Sequence, residues 1–112
     1  MTILCNNAGA NFRVSFDDQT EGIWHTVTNI GLTGAFLGIK AAVPAMRRAG
    51  GGAIVNMGSL ASTRSGGGSL AYGASKAALG MITKVLALEW GGRGVTVNAV
   101  APTVILTPMG ER

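Results

Sequence analysis

The sequence predicts an α/β chain: part of a doubly wound parallel sheet, with three strands and two long helices over residues 1–112. Three observations carry that prediction. Short apolar runs alternate with long segments of helical spacing, in the order strand, helix, strand, helix, strand. Parallel strands need crossover connections of this kind, so the order gives two βαβ units. The strands read as buried on both faces, yet right-handed crossovers place both helices on the same face. One face is then left bare, as in a portion of a larger sheet within a single domain.

The first run, Thr2-Ile3-Leu4-Cys5, stops at Asn6-Asn7-Ala8-Gly9, where turn residues follow a buried strand. Residues 10–19 are polar and irregular. Thr20 is suited to cap a helix, and from there to about Met46 the residues Ile23, Val27, Ile30, Phe36, Leu37, Ile39, Val43 and Met46 recur mostly at helical spacing. Gly31, Gly34 and Gly38 interrupt this segment, at about 1 kcal/mol each relative to alanine. Such glycines are tolerated where another backbone packs close or the helix bends. Gly50–Gly52 ends the helix, and Ala53-Ile54-Val55-Asn56-Met57 is a second strand. Residues 58–69 form a Ser/Gly-rich loop, and a second long helix runs from Leu70 to Trp90. After the Gly91–Gly94 turn, residues 95–101 (VTVNAVA) make the third strand, and Pro102 opens a final loop.

Hydrophobic residues make up 47% of the chain and charged residues 12%, against a usual charged share of roughly 25%. Apolar surface is abundant and charge is scarce, which suits a piece whose faces meet something else. The net charge of +4 is scattered, with Arg47-Arg48 the densest pair, and aromatics are 5% of the chain. Nucleic-acid binding would need a basic stripe with interleaved aromatics, so no nucleic-acid partner is expected. The single Cys5 excludes an internal disulfide, and nothing near the lone His25 has metal-ligand spacing. The start has no basic segment followed by an apolar one, and no apolar run reaches about 18 residues. A cytoplasmic protein without membrane association is the expectation.

Ligands of open parallel sheets sit outside the carboxyl ends of the strands. Here those ends lead into Asn6–Gly9, Gly58–Ser59 and Pro102–Thr107, with Tyr72 and Lys76 at the start of the helix after the second strand. Residues four apart share a helix face. An ammonium beside a phenol favours the phenolate, and a tyrosine so tuned passes a proton to or from a reacting oxygen. Ser59 is placed to donate a hydrogen bond to the same oxygen. On its own the Tyr-x-x-x-Lys pattern more often marks a buried ring edge beside a solvated amine.

Context separates the two. Asn-Asn-Ala-Gly at 6–9, Ser59 thirteen positions before Tyr72, Tyr-Gly-Ala-Ser-Lys at 72–76 and Val-Asn-Ala-Val-Ala-Pro at 97–102 together resemble the short-chain dehydrogenase/reductase (SDR) family. Order and spacing match over nearly the whole chain, from that family's fourth strand to just past its sixth. The resemblance implies a partial Rossmann-type fold and a reaction that interconverts a carbonyl and a secondary alcohol with NAD or NADP. It makes Tyr72 the general acid/base, Lys76 the group that tunes it and binds the nicotinamide ribose, and Ser59 the residue that polarises the carbonyl. It lays Asn6, Ala8 and Gly9 along the cofactor and brings Val104 and Thr107 to the nicotinamide carboxamide. In that family the two long helices usually pair subunits as a four-helix bundle, so a homo-oligomer is implied for the complete protein.

Three departures stand out. Where the family usually has Asn-Leu-x-Gly, this chain has Gly31-Leu32-Thr33-Gly34, so Gly31 occupies the place of an asparagine that holds a water in the proton relay. Asn29 does not replace it, because two residues along a helix is roughly 200° of rotation. The usual Pro-Gly after the sixth strand is Pro102-Thr103, in a segment similar to that of carbonyl and xylulose reductases. Finally, the Gly-rich phosphate turn at a helix N-terminus and the residue that chooses NAD or NADP are not in these 112 residues. The 112-residue segment by itself is expected not to bind the nucleotide, which leaves a non-catalytic remnant or a helix-mediated interaction module as alternatives to an enzyme.

Overall fold

A computed structural model describes residues 3–9, 11–58 and 67–100. Three parallel strands, β1 (Ile3–Asn6), β2 (Gly52–Met57) and β3 (Val95–Val100), lie in the order β1-β2-β3. Ile3 pairs with Ala53 and Asn6 with Asn56, while Gly52 pairs with Val95 and Met57 with Val100. The strand edges agree with the sequence expectation to within a residue or so. The carboxyl ends of all three strands therefore emerge on one side, as a parallel sheet requires.

The segment between β1 and β2 holds more structure than its sequence suggests. A short 3-10 turn (Phe16–Asp18) precedes Thr20, whose Oγ1 accepts the Ile23 amide at 3.1 Å and caps α1 (Glu21–Thr28). A π-helical turn (Asn29–Thr33) then joins α1 to α2 (Gly34–Arg48). The buried residues along this path are Val27, Gly31, Ala35 and Ile39, spaced four apart. A helix of 3.6 residues per turn drifts about 40° in each such step, so three steps would turn the stripe well away from the protein interior. The wider i→i+5 turn takes up the drift and keeps Val27 and Ile39 on one side. The spacing was in the sequence; its meaning was not drawn from the large apolar residues. Of those, Ile30, Phe36 and Leu37 lie on the outer side, exposed by 41%, 51% and 57%.

α2 ends in a Schellman motif, with the Gly51 amide donating to Met46 O at 2.9 Å and the Gly50 amide to Arg47 O at 3.2 Å. Gly50 sits at φ +91°, a left-handed conformation that glycine adopts without strain. The whole helical run Glu21–Arg48 is long and apolar enough to cross a membrane by length and composition, but its inner stripe packs on the helix Leu70–Trp90 in its first half and on the sheet in its second. Ile39, Ala42, Val43 and Met46 pack with Ile54, Val95 and Val97 into the core, with Leu4, Ile82, Leu86 and Trp90 around them.

α3 (Leu70–Trp90) crosses the same side of the sheet as α2 and packs mostly on β3. Among the described residues nothing covers the other side: Ile3 is 68% and Val100 50% exposed, and Cys5 is exposed as well. This is the one-sided arrangement expected from two right-handed crossovers.

Candidate active site at the carboxyl edge of the sheet

The lysine of the Tyr-x-x-x-Lys pair is the best-defined group at this edge. Ser69 and Leu70 start α3 just past the strand ends, so Tyr72 falls in its first turn and Lys76 one turn further on. Four residues apart on one helix, the two side chains stack: the Lys76 ammonium lies 5.6 Å from the centroid of the half-buried Tyr72 ring. Only 5% of Lys76 is exposed. Its Nζ donates to Met57 O at 2.8 Å, at the very end of β2. Burial disfavours the ammonium and holds the Lys76 pKa below its ordinary value.

The turn after β1 meets the same group. A Cβ on Gly9 would lie 3.7 Å from Lys76 Nζ, so the Asn-Asn-Ala-Gly turn runs past the end of the lysine. Asn7, Ala8 and Gly9 are exposed there. The loop beyond them is tied across the edge, since the Val14 amide donates to Gly68 O at 3.0 Å. The Asn6 side chain turns inward: its Nδ2 donates to Asn56 Oδ1 at 2.8 Å and braces the sheet. Ser59, Val104 and Thr107 lie outside the described residues, as does the Pro102-Thr103 pair.

Gly31 is buried and directed at α3, where a Cβ would meet Ser75 Cβ at 3.9 Å. Asn29 is exposed, and its Oδ1 accepts from Thr33 Oγ1 at 3.5 Å on the outer face. The two positions thus point different ways, as the helical rotation implied. Gly50–Gly52 lies at the amino edge of the sheet, where the Gly52 amide donates to Gly94 O at 3.0 Å. That places this glycine run at the end opposite Lys76.

The sequence reading overlooked two residues. Asn56 is wholly buried in β2, and its Nδ2 donates to Thr83 Oγ1 on α3 at 2.9 Å. A polar residue between Val55 and Met57 in an otherwise apolar strand was the available signal. Among the described residues no group of three or more His, Cys, Asp or Glu is placed to hold a metal.

The comparisons with known proteins agree with this geometry. The sequence matches the short chain dehydrogenase family over residues 1–112, and the chain belongs to that family. It is 44% identical over 110 residues to a D-threitol dehydrogenase of Mycolicibacterium smegmatis, covering 98% of this chain and 42% of that protein. It is 42% identical over 110 residues to an NAD-dependent glycerol dehydrogenase of Listeria innocua, covering 98% of this chain and 43% of the relative. A gluconate 5-dehydrogenase of Burkholderia cenocepacia J2315, solved in complex with NADP and tartrate, superposes with a TM-score of 0.93 at 31% identity, covering 97% of this chain and 43% of that one. The chain therefore spans less than half the length of these relatives.

Proposed function

We propose that residues 1–112 form the C-terminal-half portion of one Rossmann-type domain in an NAD- or NADP-dependent oxidoreductase. Its reaction would interconvert a secondary alcohol and a carbonyl on a small organic molecule. The observation that carries this reading is the buried Lys76 ammonium held between Met57 O, the Tyr72 ring and Gly9 at the carboxyl edge of the sheet. A buried lysine beside a tyrosine at the ligand-binding edge is the arrangement from which acid/base chemistry follows.

The residues present fit a nicotinamide nucleotide. An ammonium has three donors; among the described residues one goes to Met57 O, and the others suit ribose hydroxyls. Gly9 carries no side chain between that ammonium and a cofactor lying along the turn. When bound, the nicotinamide supplies the hydride acceptor or donor. Tyr72 Oη takes the hydroxyl proton as an alcohol is oxidised and returns it as a carbonyl is reduced. Lys76 stacks against the Tyr72 ring and orients the ribose. Ser59 donates to the substrate oxygen and holds it towards Tyr72. Val104 and Thr107 complete the nicotinamide end, while Ala8 and Gly9, with the Asn6 backbone, line its other side. The activities of the threitol and glycerol dehydrogenases support a polyhydroxylated substrate, and a cytoplasmic location is the accompanying reading.

A homo-oligomer is the accompanying proposal. Between α2 and α3 lies an open groove of about 510 Å³ lined by Phe36, Ile39, Met81, Ile82, Val85 and Trp90. Leu88 beside it is 88% exposed. A second copy presenting the same two helices would cover this apolar surface.

The reading is tested by following absorbance of NADH and NADPH with the full-length polypeptide against polyols and their ketones, for wild type and Tyr72→Phe. Turnover of a polyol or ketone that Tyr72→Phe removes, with nucleotide binding retained, is the expected result. Equal turnover in the two proteins would sink the assignment of Tyr72.

A further inference from the structure

We propose that Thr83 is a positioning residue for Lys76. The hydrogen-bond chain Asn6–Asn56–Thr83 fixes α3 along its own axis, and this keeps the ammonium on the Met57 carbonyl. The proposal rests on Lys76 being a functional group, and it adds how the fold places it.

The first half of α3, which bears Lys76, has little bulk to fix its axial position, while Ile82, Leu86 and Trp90 pack further along. Its stretch from Ala71 to Gly80 includes Ala71, Gly73, Ala74, Ala77, Ala78 and Gly80, small residues that offer few knobs to resist a slide. Lys76, Leu79 and Thr83 fall at i, i+3 and i+7, which places them on one stripe facing the sheet, and all three are buried. Leu79, 1% exposed, supplies apolar contact, which is non-directional and survives a small shift. Hydrogen bonds do not tolerate such a shift. A slide of one residue is about 1.5 Å along the axis, enough to break a bond of 2.9 Å between Asn56 Nδ2 and Thr83 Oγ1.

The bonding directions give the chain a consistent sense. The Thr83 hydroxyl donates its only hydrogen to Leu79 O at 2.9 Å, so its oxygen receives the Asn56 amide. Asn56 Oδ1 in turn accepts from Asn6 Nδ2 at 2.8 Å. A side-chain network thus runs from β1 through β2 into α3. Asn56 and Met57 are adjacent in β2, and each holds one residue of the stripe: Asn56 holds Thr83, and Met57 holds Lys76. Seven helical residues span about 10.5 Å, and the length of the Lys76 side chain makes up the difference from the strand spacing. The helix is pinned at two points, and the lower pin sets the height of the upper one.

The test uses the full-length dehydrogenase with NADH and NADPH as probes. Thr83→Val keeps the shape and removes the hydroxyl. In its crystal structure Lys76 Nζ should lie more than about 3.5 Å from Met57 O, and nucleotide affinity should fall at least threefold at a temperature where the variant is fully folded. Thr83→Ser should restore both the contact and the affinity. Val97→Ala, a core change of similar effect on melting temperature, should leave affinity unchanged. Should Thr83→Val not fold, Thr83→Ala, which admits a water to the Asn56 amide, is read in the same way. A lowered melting temperature with the Lys76–Met57 contact and the affinity intact would overturn the proposal and leave Thr83 a purely structural residue. Lys76→Met reports on the underlying reading separately: unchanged nucleotide affinity there would sink the cofactor role of Lys76, while the Nζ–Met57 distance in the Thr83 variants still decides this one.

Discussion

The two helices that cover the sheet are attached to it in opposite ways. α2 meets the sheet through apolar residues, Ile39, Val43 and Met46 against Ile54, Val95 and Val97, and through a missing side chain. A Cβ at Gly38 would lie 3.2 Å from Asn6 Oδ1, so the helix approaches β1 as closely as it does because position 38 is glycine. α3 meets the sheet through apolar contact as well, but its polar stripe of Lys76 and Thr83 ties it to Met57 and Asn56. The difference follows from what each helix carries. α2 supplies closeness and core volume, for which dry packing is enough. α3 bears the Tyr72–Lys76 pair, whose proposed acid/base role would depend on close positioning, and directional bonds set position better than apolar contact does.

That contrast can be broken by experiment, starting with the largest effect. Tyr72→Phe should lower turnover by about 10²–10⁴-fold while circular dichroism and melting temperature stay near wild type; a large loss of stability would mean that α3 also depends on the phenol for its packing. On the α2 side, Met46→Ala removes a side chain that is 0% exposed and should cost about 2–5 kcal/mol in urea unfolding, with little change in nucleotide affinity per folded molecule.

Lys76→Met sharpens the comparison through pH. Desolvation holds the Lys76 pKa down in the folded protein, so between that lowered value and the unfolded value of 10.5 the unfolded chain binds more protons. Stability from this group accordingly rises with pH across that window and is least below it. The methionine variant, free of the charge, should therefore be at least as stable as wild type at neutral pH, with the gap narrowing as pH climbs towards the window's upper end. It should also lose nucleotide affinity. A gap that widens with pH would contradict the assignment of burial as the cause.

Glycine exchanges give the smallest effects. Gly80→Ala on α3, where a Cβ meets nothing within 4 Å, should stabilise the protein by up to about 1 kcal/mol through helix propensity. Gly38→Ala should forfeit that gain, because the Asn6 amide is pinned by Asn56 and cannot give way; equal stabilisation at both sites would remove close approach as the reason for Gly38. Gly31→Asn should be tolerated, its Cβ in ordinary contact with Ser75, and should raise turnover by about tenfold or less, ~1.4 kcal/mol. No change in rate would mean that the proton relay does not use a side chain at this position.

Much of this architecture was legible because period and punctuation agree. The β-branched run before Met57 and the glycines at 50–52 gave β2 and its boundary, and Tyr72 and Lys76 could be placed on one face by counting to four. The π turn was hidden because its signature lies in small residues, Gly31 and Ala35 between Val27 and Ile39, while attention goes to large ones. Phe36 and Leu37 fit a helical period yet serve the outer face, since a period does not say which of two apolar sides faces the sheet. Asn6 was assigned to the cofactor by its motif. Its inward turn is set by Asn56, fifty positions away, a partner that no local pattern names.

The bare face of the sheet has a bearing on how the protein is made. β1 waits for β2, whose Asn56 stands fifty residues beyond Asn6, and β3 comes later still, so pairing in this sheet is non-local and slow. Among the described residues Ile3, Cys5 and Val100 lie exposed on one face, and apolar surface of this kind invites association with other chains until it is covered. The interval before that face is covered is when nascent chains are most prone to aggregate. Holdase chaperones should engage the polypeptide there, and substitutions that lengthen the interval should lower the yield of soluble protein without touching the finished active site.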